Sequence, residues 1–369
     1  MNEKLSEKRI LLFTRVMGSG GTETVMIQLA QLYREAGCFV CVCAADGPGM
    51  DKLRQQNVPV YVIPDMQSKD PVTMAKILST VAGIIRSQKI DVVHTHHRMA
   101  AFYARLLRPM HKFLFLNNIH NTFEDKRSLT RFAFQKACNI AVGQAVMDNM
   151  VKDYGLSEKV IRVIYNAVKA PVVSNTPDPL LDQLRRQGKF LVGNVGRVDT
   201  QKGFEYYIAA AKLCKQKALP IAFLIVGDGT RREEMEQLVK AEGLSDTVYF
   251  LGYRTDVANV IAQTDLMVLS SLWEGFPLTP IEVFSVKKTI VATDVPGTME
   301  IVKDGENGLI VPMKDAAALA EGVERLYKDP ALRLRLEENA RKTYENIFSY
   351  EIFCNHYLRL LEEQIGERA

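Results

Sequence analysis

The sequence predicts an α/β protein of two doubly wound, Rossmann-like domains. Three observations carry that expectation. Short apolar runs alternate with helical stretches along most of the 369 residues, and such alternation implies a parallel sheet covered by helices on both faces. The stretch 171–179 holds three prolines with Ser174 and Asn175 and reads as a linker. Beyond it the alternation begins again. A chain of this length suffices for two such domains, here 1–170 and 171–349.

The totals exclude several classes. Hydrophobic residues make up 47% and charged residues 24%, a globular balance. A net charge of +4 is too small to argue for a nucleic-acid partner. Residues 1–9 are polar, the apolar run 10–16 is too short for a secretory signal, and no run of eighteen apolar residues exists. A cytoplasmic chain without a membrane span is therefore expected. Cys38, Cys41 and Cys43 lie in an apolar strand-like run with no second Cys-x-x-Cys or nearby His. They read as buried thiols, not as zinc ligands.

In order, residues 9–16 read as the first strand. The turn Gly18-Ser19-Gly20-Gly21-Thr22-Glu23 follows, then a helix to about residue 36. A glycine turn between strand and helix lets backbone approach a phosphate, but this one is not Gly-x-Gly-x-x-Gly, so a dinucleotide fingerprint is unsupported. Further strands are expected at 38–45, 58–64, 91–96, 112–119, 138–143 and 160–166, with helices at 70–88, 98–108, 127–137 and 144–154. After the linker, strands are expected near 190–195, 221–227, 247–252, 265–270, 289–293 and 308–311. Helices are expected at 203–217, 230–242, 256–263, 279–286 and 315–328, then 330–346 and 350–365.

The most informative stretch is Ser270-Ser271-Leu272-Trp273-Glu274-Gly275-Phe276-Pro277-Leu278-Thr279-Pro280-Ile281-Glu282. An apolar run, 266–269, leads into it as a buried parallel strand. Glu274 and Gly275 then sit at the strand's carboxyl end, where ligands bind in such sheets. Thr279 is placed to cap, and Pro280 to open, a helix carrying Glu282. Both carboxylates then face one crevice, with the backbone amides of 275–279 aimed at it. Free amides favour an anion and carboxylates favour hydroxyls. An anion flanked by hydroxyls describes a nucleotide-sugar.

Other loops add to it. Gly196-Arg197-Val198-Asp199-Thr200-Gln201-Lys202-Gly203 places two cations after a strand, which suits a diphosphate. Gly227-Asp228-Gly229 and Gly252-Tyr253-Arg254 end the next two strands. Asn117-Asn118-Ile119-His120-Asn121 ends a strand of the first domain. His94, His96 and His97 cluster, but strand alternation splits their directions, and His96 or Arg98 reads as acceptor-side lining.

The 270–282 stretch resembles the signature of glycosyltransferase family 4, retaining enzymes of the GT-B fold. The family's motif is Glu-Gly-Phe/Leu-Pro/Gly…Glu, with seven residues between the acids, as between Glu274 and Glu282. Residues 196–203 resemble the family's Gly-Arg-Leu-x-x-x-Lys-Gly. The resemblance covers nearly the whole chain. It implies two Rossmann-like domains facing a central cleft, with the C-terminal helix, 350–369, crossing back to the N-terminal domain. Tyr350, Phe353, Tyr357, Leu360 and Leu361 form an apolar stripe for that docking, or for packing within the second domain. Asn166-Ala167-Val168 matches the family's Asn-Gly-Val hinge, with Ala in place of Gly.

The resemblance also implies roles. The loop of Gly20 and Gly21 faces the cleft. Arg197 and Lys202 stabilise a departing diphosphate, with Gly196 and Gly227 in the same loops. Backbone at Tyr253 and Arg254 lies against the nucleobase, and Glu282 holds the ribose hydroxyls. Glu274 holds a hydroxyl of the transferred sugar beside the amides of Gly275 and Phe276. Amides of Leu278 and Thr279 reach the distal phosphate. His120 contacts the sugar near its anomeric carbon.

The implied function is metal-independent, retaining transfer of a hexose-type sugar to a hydroxyl acceptor. The nucleotide-sugar is a co-substrate, UDP-linked on general frequency, and no cofactor is needed. The sequence contains no Asp-x-Asp pair. The acceptor is a sugar or lipid-linked glycan of bacterial surface polysaccharide or glycolipid assembly. Residues 98–136 hold eight Lys/Arg against Glu124 and Asp125, with Phe102, Tyr103, Phe113, Phe123 and Phe132 interleaved. Such a patch suits an anionic membrane surface and a peripheral position on its inner face. The alternatives are a GT-B nucleotide-sugar epimerase, a sugar phosphorylase, and a non-catalytic nucleotide-sugar-binding partner subunit.

Overall fold

The computed structural model describes residues 5–18, 20–174 and 176–367. Ser19 of the glycine turn, Asn175 of the linker, residues 1–4 and the last two residues lie outside that description. Chain contacts divide the protein into two units, one of Met1–Asn166 with Phe353–Ala369 and one of Ala167–Ile352.

The first unit holds β1 (Arg9–Val16), β2 (Phe39–Ala45), β3 (Val60–Val62), β4 (Val92–Thr95), β5 (Leu114–Ile119), β6 (Cys138–Ala141) and β7 (Ile161–Val163). They form one sheet in the order β3-β2-β1-β4-β5-β6-β7. Every pairing is parallel. Buried on both faces, the strands read as continuous apolar runs rather than alternating ones. Strand order reverses between β1 and β4, where Leu12 pairs with His94.

The second unit holds β8 (Phe190–Val195), β9 (Ile221–Val226), β10 (Val248–Gly252), β11 (Leu266–Leu269), β12 (Ile290–Thr293) and β13 (Leu309–Val311). Their order is β10-β9-β8-β11-β12-β13, again all parallel. Strands β8, β9, β11 and β12 are buried along their whole length. Phe204, Tyr207, Phe223, Leu319 and Leu336 fill the core beside them. Each such side chain contributes roughly 1.5–3 kcal/mol of burial. The sheet reverses order between β8 and β11, the crevice position of a doubly wound fold.

Three α-helices escaped the sequence reading, the shortest being the single turn Pro296–Met299. Pro48–Gln55 was too short to show a period. Pro179–Arg186 begins inside the expected linker, where the Asp178 carboxylate accepts from the amides of Leu180 and Leu181. An Asp cap followed by Pro was the available signal. At the carboxyl end, a single π-turn, Tyr344–Phe348, separates helix Pro330–Thr343 from helix Tyr350–Gly366. Phe353, Tyr357, Leu360 and Leu361 of that last helix are buried and belong to the first unit. Ala167 has an ordinary negative φ, as it is absent from the left-handed residues.

Candidate functional site

In the second unit, three loops at the carboxyl ends of β8, β11 and β12 are tied to one another. Ser270 Oγ donates to the Lys202 carbonyl (2.8 Å) and accepts from Asn194 Nδ2 (3.0 Å). The Leu272 amide donates to the Gln201 carbonyl at 2.8 Å, and Gln201 Nε2 to the Trp273 carbonyl at 2.9 Å. Thr293 Oγ1 donates to the Ser271 carbonyl at 2.6 Å. A Cβ on Gly297 would stand 2.3 Å from the Gly275 oxygen, so only glycine lets these backbones meet. The ties hold the 270–276 loop against the 200–203 turn.

Into that frame project Lys202 and Glu274. Lys202 Nζ lies 2.5 Å from Glu274 Oε1, and their side chains are 16% and 7% exposed. Ser271 Oγ donates to the same oxygen at 2.7 Å, and Gln201 Nε2 to Oε2 at 3.3 Å. Glu282 stands in the first turn of helix Thr279–Ser285. Burial raises its pKa, and the charge of Lys202 opposes that rise. One ammonium thus serves two carboxylates. Proton uptake, hydroxyl binding and anion binding are all within the chemistry of such a trio.

Thr279 does not cap its helix. Leu278 is the N-cap residue, with no side-chain hydrogen bond, and Thr279 is the first helical residue, buried beside Pro280. A capping threonine needs an extended backbone before the first turn, whereas residue 278 is already right-handed helical.

Arg197 is not brought to the acidic pair. Its guanidinium is held by Asp199 at 2.7 Å and is 71% exposed. Its neighbours Gly196 and Gly227 sit where the β8 and β9 loops interlock: Val198 donates its amide to the Asp228 carbonyl at 3.0 Å. Gly227 has φ +143°, and a Cβ there would lie 1.9 Å from the Gly196 oxygen. Arg254 bridges Asp178 at 2.8 Å and Asp256 at 2.7 Å, and these carboxylates hold its pKa up. Tyr253 beside it is 62% exposed. Phe276 is buried, its ring 6.0 Å from that of Phe348.

In the first unit, Gly20 precedes helix Gly21–Glu35 as its N-cap, and Glu23 folds back to accept the Gly20 amide at 3.0 Å. His120 follows β5, partly exposed. His96 is 3% exposed and His94 fully buried, so His96 is core, not acceptor-side lining. Burial lowers the pKa of His94 to about 4 and of His120 to about 3. Arg98 is likewise committed, to Asp125 at 2.8 Å and over the Phe123 ring at 4.7 Å. Tyr103 and Phe113 are core residues, leaving Lys112, Lys126, Arg127, Arg131 and Lys136 as the exposed cations of the basic stretch. Among the described residues, no three His, Cys, Asp or Glu stand close enough to hold a metal ion. No described helix is long and apolar enough to cross a membrane.

Two family models match, Glycosyltransferase Family 4 over residues 19–170 and Glycosyl transferases group 1 over residues 181–343, together most of the chain. The chain belongs to glycosyltransferase family 4. It is similar to the alpha-D-kanosaminyltransferase of Streptomyces kanamyceticus, 37% identical over 148 residues. That match takes in 40% of this chain and 38% of the relative, so the chain spans well under half of that protein's length. An Escherichia coli UDP-Gal:alpha-D-GlcNAc-diphosphoundecaprenol alpha-1,3-galactosyltransferase is 24% identical over 330 residues, 84% of each chain. The solved Anabaena protein Alr3699/HepE, in complex with UDP-glucose, superposes with TM-score 0.84 at 23% identity over 96% of this chain and 99% of that one. The fold is GT-B.

For a family 4 chain, sequence reasoning named Lys202, Glu274 and Glu282 but missed Gln201, Ser271 and Gly297, which place them. Gln201 and Ser271 lie inside the quoted motifs and carry polar groups next to the acid or the cation, which was the signal. Gly297 had none. It also missed the buried partners of the histidines: Tyr33, Asn118 and Tyr357.

Proposed function

We propose that this protein transfers a hexose-type sugar, with retention, from a UDP-linked donor to a hydroxyl of a lipid-linked glycan acceptor. The observation that carries the reading is the Lys202–Glu274 pair at 2.5 Å, set where strand order reverses. The named reaction of the Escherichia coli relative and the UDP-glucose complex of the Anabaena protein support the donor and acceptor classes.

In this reading the donor's diphosphate takes Lys202 from Glu274, and the freed carboxylate accepts a sugar hydroxyl. Lys202 neutralises charge as the phosphate departs. Arg197, exposed and held by Asp199, swings to the same anion. Glu282 accepts from the ribose hydroxyls, and amides of Gly275 to Thr279 complete the cradle. The acceptor hydroxyl attacks the face the phosphate leaves, and its proton passes to the leaving phosphate oxygen. The C–O bond to phosphate breaks as the new glycosidic bond forms. His120 steadies the sugar. The chain's part is positioning and charge stabilisation, with the cationic side chains doing the work of a metal. The exposed cations of 126–136 hold the enzyme at an anionic membrane face.

Thermal-shift screening against nucleotide-sugars tests this, since the true donor stabilises the native state. UDP-hexoses are expected to raise Tm in the wild type and not in Glu282→Ala. Turnover by Lys202→Ala at the wild-type rate would refute the assignment. Flotation with anionic vesicles tests the membrane placement, and no binding would count against it.

A further inference from the structure

The first unit carries a histidine chain of which the transfer mechanism uses only His120. His96 follows β4 and His120 follows the neighbouring β5. His96 Nδ1 lies 3.1 Å from His120 Nε2, with the rings stacked at 5.3 Å between centroids. The other ring nitrogen of His96, Nε2, is buried and has no hydrogen-bond partner. Behind it, 4.5 Å away ring to ring, His94 bonds Asn118 Oδ1 at 2.8 Å and the Tyr33 hydroxyl at 3.2 Å.

Burial lowers the pKa of His96 and His120, and neighbouring histidines push the same way, so both rings are neutral. Two neutral imidazoles share one proton across the 3.1 Å contact. If His120 donates from Nε2, then His96 carries its own proton on Nε2, a buried N–H with nothing to accept it. If His96 donates from Nδ1, its Nε2 is only an unused lone pair. Buried orphan N–H groups are the rarer and costlier kind. The second arrangement follows, and it places the His120 proton on Nδ1.

We propose that His96 is a positioning residue that locks His120 in its Nδ1–H tautomer, so that His120 meets the sugar as a neutral hydrogen-bond donor. The acceptor of that bond is a hydroxyl or ring oxygen of the donor sugar. No basic nitrogen of His120 is left to take a proton, because Nε2 is already engaged by His96. This rests on the reading that His120 contacts the sugar.

Long-range 1H–15N correlation spectra of the full chain labelled with 15N-histidine report the tautomer directly. The His120 signals are assigned by their loss in His120→Gln. Wild type is expected to show protonated Nδ1 and unprotonated Nε2 at His120. His96→Leu is expected to shift His120 toward the Nε2–H form and to lower kcat at least tenfold with donor KM little changed. His96→Asn, whose amide N–H stands near the lost Nδ1–H, is expected to restore tautomer and rate. A wild-type His120 protonated at Nε2, or an unchanged tautomer in His96→Leu, overturns the lock. Full transfer by His120→Ala overturns instead the role of His120 at the sugar, and the spectra separate the two failures.

Discussion

Lys202 and Glu274, 72 residues apart, meet with Nζ and Oε1 at 2.5 Å in a pocket of backbone that leaves the carboxylate side chain 7% exposed. Strand β8 delivers one and β11 the other, and the two strands are direct neighbours in the sheet. Three hydrogen bonds between their loops, and one from Thr293 of β12 to Ser271, hold the pair without help from either charge. The arrangement can therefore lose a charge and keep its shape.

Lys202→Ala is expected to lower transfer by about 10²–10³, the usual cost of one preorganised charge at a reacting anion. It also leaves Glu274 without its ammonium, at about 1–3 kcal/mol of stability. Urea unfolding of Lys202→Ala, Glu274→Gln and the double variant checks this. The double variant should be more stable than the sum of the single losses, by a coupling of roughly 0.5–3 kcal/mol.

Glu282→Gln separates stability from function through pH. Burial raises the native pKa of Glu282 above the ordinary 4.5, so the native carboxyl binds its proton more tightly than the unfolded one. The charged form then costs stability above the raised pKa, and the cost disappears below 4.5. Glu282→Gln is expected to melt higher than wild type at pH 7, with the difference closing as pH falls toward 4. Calorimetry across that range checks it. The same variant should lose the Tm rise given by UDP-hexoses.

Gly297→Ala touches no charge yet displaces the loop that carries one. Its Cβ would fall 2.3 Å from the Gly275 oxygen and 2.7 Å from that of Glu274, both rigid backbone. A shift near 1 Å at a reacting group costs about 100-fold. kcat/KM should fall by about that factor while circular dichroism stays native.

Arg197→Ala should cost little stability, within about 0.5 kcal/mol, because its ion pair with Asp199 is exposed. Its effect belongs to the departing anion. Donor KM and kcat measured together will show whether the exposed arm reaches the diphosphate; an unchanged kcat/KM removes Arg197 from the mechanism.

Tyr357→Phe tests the anchoring of the last helix in the first unit. Asn118 Nδ2 donates to the Tyr357 hydroxyl at 2.5 Å inside the core. Losing that acceptor leaves a buried N–H unpaired, at about 1–3 kcal/mol. The urea midpoint should fall with an unchanged slope.

Alternation of apolar runs and helices, the proline linker, and the motifs around Lys202, Glu274 and Glu282 were legible in the amino-acid order. Each is local: a parallel strand buried on both faces must be apolar throughout, and a helix must repeat every 3.6 residues. The two sheets and the positions of their described strands followed from that. Tertiary structure alone decided which loops touch. Gly297 against Gly275, Gln201 on Glu274 and His96 against His120 join residues distant in sequence, while the short-range contacts of Ser271 with Glu274 and of Asp199 with Arg197 depend on the loop conformations that packing imposes. Such pairings depend on strand order and on close packing of backbones, neither of which leaves a periodic trace in the chain. Even the start of helix Thr279–Ser285 was settled this way: the backbone at Leu278 was already helical, and the cap expected at Thr279 had no place to form.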